Sequence, residues 1–140
     1  MTHETFWQQV KFVTGNADKV REAGRILGIP LAQAELPNIH EIQTADSSKL
    51  VENKLDQAYS ALRCPVMVED SALVFTAWNG LPGALVKWFE KSVGCDGMIK
   101  MLDPFGNREA LALCYVALHD GREIRIARGE VRGGIATEPR

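Results

Sequence analysis

The opening of the chain constrains its fold most. A short apolar run, Val10-Lys11-Phe12-Val13, breaks at Thr14-Gly15-Asn16 and gives way to a helical pattern through Val20, Ala23 and Leu27 that stops at Gly28. A buried strand, a turn and a helix in that order open an α/β chain. Pro30 to Leu36 reads as a second short strand, and Pro37 begins an irregular stretch through Glu41 to Gln43. Asp46 or Ser47 then caps a helix reaching about Leu62, because Leu50, Val51, Leu55, Ala58 and Leu62 share one face. Pro65 blocks its continuation.

Val66-Met67-Val68 is expected as a short apolar strand ending in the acidic pair Glu69-Asp70, followed by a further strand-like run, Leu73-Val74-Phe75. Gly80-Leu81-Pro82-Gly83 is a turn signal. Leu85, Trp88 and Phe89 recur at helical spacing after it, and Met98 to Leu102 suits another helical turn or two. Ala110 to Leu118 and Glu123 to Arg128 flank His119-Asp120-Gly121-Arg122, whose Asp-Gly is a strong hairpin signal.

Nothing along the way resembles a repeat, a low-complexity tract or a linker, so residues 1–140 are expected to form a single domain. Sixteen basic residues against eighteen acidic ones leave a net charge of -2, which argues against general attraction to nucleic acid or an anionic membrane and makes any phosphate binding local. Cys64, Cys95 and Cys114 are odd in number and show no CxxC spacing, as expected of reduced thiols. No stretch approaches the roughly 20 apolar residues of a membrane span, and a soluble, cytoplasmic protein is expected.

Three places carry chemistry. Thr14, Gly15, Asn16 and Lys19 stand where a buried strand becomes a helix. Backbone N–H groups at a helix start, a glycine allowing close approach and a lysine one turn in suit a phosphate, and a plain helix cap at Asn16 is an equal reading. Glu41, Glu69 and Asp70 form an acidic set. Adjacent carboxylates repel, and a hard cation such as Mg²⁺ relieves that better than zinc chemistry would; a solvated strand end with surface ion pairs is the plainer alternative. Lys54 lies between Leu50 and Ala58 on the core-facing arc of its helix, so it either snorkels outward or reaches a phosphate or carboxylate. Lys87 points away from Leu85 and Phe89 and reads as an exposed lysine, and Trp78 and Trp88 as core or dimer-contact residues. His3, His40 and His119 have no ligand spacing.

Together these pieces resemble the inosine triphosphate pyrophosphatase family, the pyrophosphatases of non-standard purine nucleoside triphosphates. Phe12 to Lys19 is similar to its phosphate loop, Glu41-Ile42-Gln43 to its metal-binding segment, and Val68 to Leu73 to its catalytic strand end. Asn79-Gly-Leu-Pro-Gly83 through Lys87-Trp-Phe89 is similar to its most recognisable stretch, and Gly129 to Arg140 to a strand and a Pro-Arg. The resemblance implies an ITPase-like α/β fold, an elongated mixed sheet flanked by helices with a cleft between two lobes, and a homodimer. It implies Mg²⁺-dependent hydrolysis of a nucleoside triphosphate to a monophosphate and pyrophosphate. By position, Thr14, Gly15, Asn16, Lys19 and Lys54 hold the triphosphate, Glu41 and Asp70 hold Mg²⁺, Ser71 and Lys87 touch substrate, and Asp70, helped by Glu69, activates water.

Ala72 departs from the pattern where glycine or another small residue is usual. The family pattern also continues past the Pro-Arg into a glycine-aromatic-Asp-Pro loop and a helix with Lys and Ser-His-Arg, which read the purine base. The resemblance here ends at Pro139-Arg140, so the fold is expected to be short at its C-terminus and base preference relaxed. Two further functions compete with the enzyme: a non-catalytic nucleotide-binding module, and an oligomer-forming module descended from the same family.

Overall fold

The computed structural model describes residues 2–140. In chain order the elements are α1 (His3–Trp7), β1 (Lys11–Val13), α2 (Ala17–Leu27), β2 (Ala32–Ala34), α3 (Ser47–Leu62), β3 (Val66–Phe75), β4 (Pro82–Gly83), α4 (Val86–Leu102), β5 (Glu109–His119) and β6 (Ile124–Gly134). The sheet is mixed, with strand order β2-β1-β3-β5-β6 and β4 on β3. β1 runs parallel to β2, pairing Lys11 with Ala32, and parallel to β3, pairing Lys11 with Val66 and Phe12 with Met67. β4 is antiparallel to β3. No helix among the described residues is long and apolar enough to cross a membrane.

The helices begin and end where side-chain chemistry directs. Asn16 Oδ1 accepts from the Asp18 N–H at 2.9 Å and starts α2, and Gly28, at φ 72°, ends it in the left-handed conformation that glycine adopts without a Cβ clash. Asp46 Oδ1 accepts from the N–H groups of Ser48 and Lys49 at 2.9 and 3.3 Å and starts α3. Val51, Leu55 and Ala58 are fully buried along that helix, as their shared face requires. α1 has no counterpart in the sequence reading. Thr2 caps it by accepting from Thr5 N–H at 3.2 Å.

The expected break at Glu69-Asp70 is absent. Val66 to Phe75 forms one continuous strand, with the acidic pair in its middle and not at a strand end. Val66, Met67 and Val68 are buried in succession, as in a strand covered on both faces, and the pattern then loosens to half-buried at Glu69 and Asp70. The acidic pair does not terminate the strand because Glu69 has a cationic partner, described below, that offsets the cost of its burial.

By contacts the chain divides into two compact units, to both of which β3, β5 and β6 contribute residues. The first comprises the chain up to Ile42, Val51–Glu69 and Val116–Ala127. One cluster of its core is Val10, Phe12, Val20 and Met67, joined by Phe6, Trp7, Ala23, Leu31, Val116 and Leu118, and Val51, Leu55, Ala58, Val66 and Val68 are fully buried as well. Burying side chains of this size stabilises by about 1.5–3 kcal/mol each. The Asp-Gly hairpin tip closes as expected: Asp120 Oδ1 accepts from Arg122 and Glu123 N–H, and the His119 ring stacks on Tyr59 with centroids 3.6 Å apart.

The second unit comprises Gln43–Leu50, Asp70–Tyr115 and Arg128–Arg140. Phe75, Leu102 and Ala110 form one buried cluster in it, with Leu73, Ala77, Trp78 and Ile135 packed around them. Trp78 sits edge-on to Phe75 at 4.7 Å and near Phe89 at 5.8 Å, which makes it a core residue. Trp88 is 57% exposed and contributes to no core here. α4 breaks its helical geometry at Gly94 (φ 67°, ψ 178°), so Met98 to Leu102 forms a second helical piece. Arg108 donates to the carbonyls of Ile135 and Ala136 at 2.7 and 2.5 Å, fastening the segment after β6. The three cysteines are free thiols.

Candidate functional site

In the first unit, the loop between β1 and α2 carries Thr14, Gly15 and Asn16. Asn16 N–H donates to Thr14 Oγ1 at 3.1 Å, while the Thr14 backbone is anchored from β2: its N–H donates to Ala34 O at 3.1 Å and its carbonyl accepts from Gln33 Nε2 at 2.8 Å. The loop is thus fixed at its strand side and exposed at Gly15 and Asn16. A Cβ built on Gly15 would meet nothing within 4 Å, so neighbouring protein atoms do not demand glycine there. Asn16 does serve as a helix cap, the plainer of its two readings.

Lys19, on the first turn of α2, reaches β3. Its Nζ lies 2.5 Å from Glu69 Oε2, with the Glu69 side chain 11% exposed and that of Lys19 40%. Lys54 resolves the alternatives left by its helical position. It does not snorkel to solvent; its side chain is 14% exposed, and Nζ lies 3.4 Å from Glu41 Oε1 and 3.3 Å from the Glu69 carbonyl oxygen. Two lysines and two glutamates from α2, α3, β3 and the loop after β2 therefore form one network. Such mixed-charge clusters satisfy buried charges that would otherwise be costly.

Sequence reasoning passed over the groups that place Glu41. Gln57, on α3, takes His40 from both sides: His40 N–H donates to its Oε1 at 2.8 Å and its Nε2 donates to the His40 carbonyl at 2.7 Å. Nε2 also donates to Asn53 Oδ1 at 2.7 Å, one helical turn back. The signal available was the Asn53, Lys54, Gln57 set on one side of a helix opposite an irregular segment.

In the second unit, Asp70 follows Glu69 directly on β3. It is half-buried, and its Oδ2 is shielded from solvent. Ser71 is exposed and Ala72 is buried at 6%, which suits a small side chain at the position where the sequence departs from the pattern. Lys87 is exposed on the first turn of α4, its Nζ 5.9 Å from the centre of the Trp88 ring, with Lys91 Nζ at 5.4 Å from the same ring. The Gly80–Gly83 turn fits closely against the segment before α3: Ala84 N–H donates to Ala45 O at 3.0 Å, and a Cβ on Gly83 would lie 2.5 Å from that oxygen. Of the acidic residues expected to hold metal, Glu41 lies in the first unit and Asp70 in the second, and no group of three His, Cys, Asp or Glu side chains among the described residues is gathered for a metal ion.

Comparison with solved structures shows the fold. The fold is that of a nucleoside-triphosphatase / dITP/XTP pyrophosphatase from Mycobacterium abscessus, with a TM-score of 0.76 over 94% of this chain and 76% of that one, at 21% identity. The chain belongs to the Ham1 family, whose sequence pattern matches residues 10–140. It is 42% identical over 134 residues to the inosine triphosphate pyrophosphatase of Kluyveromyces lactis, a match covering 91% of this chain and 69% of that protein. It is 40% identical over 139 residues to the inosine triphosphate pyrophosphatase of Saccharomyces cerevisiae, covering 91% and 70%.

Proposed function

We propose that this chain is a nucleoside triphosphate pyrophosphatase acting on non-standard purine nucleotides, as its curated relatives are named for inosine triphosphate. The observation that carries the reading is the pairing of Lys19 and Lys54 with Glu69 and Glu41 beside a loop whose glycine faces open space. Two partly shielded ammonium groups held by carboxylates are ready to exchange those partners for phosphate oxygens, and Gly15 leaves room for a phosphate at the helix start.

Hydrolysis between the α- and β-phosphates adds one water and releases a nucleoside monophosphate and pyrophosphate. Asp70 takes the proton of the attacking water. Glu69, its neighbour on β3, helps Asp70 in this step. Thr14, Gly15, Asn16, Lys19 and Lys54 bind the triphosphate, and Ser71 and Lys87 contact substrate. Lysine charge offsets the negative charge that grows on the leaving pyrophosphate.

Carboxylates are the donor type that a hard divalent cation prefers. Glu41 and Asp70 offer carboxylate oxygens, and Mg²⁺ commonly takes one or two carboxylates and completes its shell with water and phosphate, so a three-residue cluster is not required. These two residues hold the metal in this reading, and when bound it supplies further positive charge toward the phosphates. A cytoplasmic homodimer is part of the same proposal, with solution mass as its check. Pyrophosphate release from dITP or XTP with Mg²⁺ tests the activity. Failure to release it from any common or deaminated triphosphate would leave a nucleotide-binding module in its place.

A further inference from the structure

We infer that Gln57 is the positioning residue for Glu41, setting the carboxylate that the proposed function assigns to the metal; the inference rests on that assignment. The segment after β2 is irregular from Pro37 onward, and Pro37, Asn38, His40, Glu41 and Ile42 are exposed. Beneath it is a hollow of about 560 Å³ between Leu36–Ile39 and the α3 residues Asp56, Gln57, Ser60 and Ala61. The stretch is therefore not closed tightly on the helix along this hollow. Inside it, Ile39 N–H makes a turn bond to the Leu36 carbonyl at 3.3 Å, which shapes the loop but does not attach it.

Attachment comes from α3. The Gln57 side chain pairs with both backbone groups of His40, at 2.8 and 2.7 Å, in the manner of one more strand residue. A side-chain amide suits this, since it offers one acceptor and one donor in the same plane. Asn53 fixes which way round the amide sits, because its Oδ1 accepts from the same nitrogen that serves the His40 carbonyl. Glu41 is the next residue, and its Oε1 comes to 3.4 Å from Lys54, which stands on the same helix between Asn53 and Gln57. One turn of α3 therefore places the backbone before Glu41 and holds its side chain. Groups that orient a metal ligand typically contribute about 10–100-fold to metal affinity without touching the metal.

The test is Mn²⁺ binding to the full chain without nucleotide, followed by the electron paramagnetic resonance signal of free Mn²⁺, for the parent, Gln57→Ala, Glu41→Gln and the double variant, with melting temperatures alongside. Gln57→Ala is expected to weaken Mn²⁺ binding about tenfold with a melting temperature close to the parent's. In the Glu41→Gln background the same change should do nothing further, because Gln57 acts through Glu41. Asn53→Ala, a milder loosening of the same amide, should shift affinity in the same direction and serves if Gln57→Ala does not fold. Unchanged affinity in the Gln57 and Asn53 variants, with Glu41→Gln weakened, overturns the inference alone. A parent that binds no Mn²⁺, or a Glu41→Gln variant that binds like the parent, overturns the assignment of Glu41 and the inference with it.

Discussion

Lys19 and Glu69, separated by 50 positions in the chain, meet at 2.5 Å across the first turn of α2 and the middle of β3. The contact joins the helix after the Thr14–Asn16 loop to the strand that carries the acidic pair. It also explains why β3 runs through that pair without stopping.

Lys54 and Lys19 should respond differently to truncation. Lys54→Ala removes a charged donor from Glu41, which is 43% exposed and can be hydrated instead, so folding loses only about 1 kcal/mol. Triphosphate binding should weaken about 10–100-fold, the usual value of a charge-assisted hydrogen bond. Lys19→Ala strips the same kind of donor from Glu69, whose side chain is 11% exposed, and should cost about 1–3 kcal/mol of stability as well as affinity. Urea melts and nucleotide titrations of both variants check this. Equal affinity with a large stability loss in Lys54→Ala would make Lys54 a structural residue.

Gly83 should tolerate no side chain. Its φ is 59°, and an added Cβ would sit 2.5 Å from the Ala45 carbonyl oxygen, which is backbone and cannot swing aside. Gly83→Ala is expected to cost about 2 kcal/mol or more. Gly15→Ala, with open space around it, should leave stability almost unchanged while impairing nucleotide binding. A thermal denaturation pair measures the contrast, and similar losses in both would contradict it.

The hairpin tip carries a pH-dependent contribution. The N–H groups of Glu123 and then Arg122 donate to Asp120 and hold its carboxyl below the ordinary value of 3.8. A lowered folded-state pKa means that the stabilisation is fully present above the unfolded value and is lost as pH falls through the folded one. Parent and Asp120→Ala should therefore differ in stability at neutral pH and converge below about pH 3.8, as their melts across acid pH will report. A constant difference down to strongly acid pH would exclude the carboxylate as its source.

Much of this architecture was legible because local chemistry and tertiary packing agree. Asn16 and Gly28 bound α2, Asp46 starts α3, and Asp120-Gly121 turns the last hairpin, each through a bond or dihedral angle that the residue type favours. The reading failed where the deciding partner is distant in sequence. Two adjacent carboxylates read as a strand terminus until Lys19 is brought from α2 to one of them. Gln57 was invisible because its role depends on a backbone 17 positions away. Lys54 was half legible: its helical position required a partner, and the fold chose Glu41.

The central claim, that this chain hydrolyses nucleoside triphosphates with Asp70 activating water, is tested most directly by pyrophosphate release. The assay compares the parent chain with Asp70→Asn on dITP, XTP, dGTP and ATP in the presence of Mg²⁺. The account predicts release by the parent, and a loss of about 10²–10⁴-fold in kcat for Asp70→Asn with the melting temperature retained. Release that survives undiminished in Asp70→Asn would contradict it.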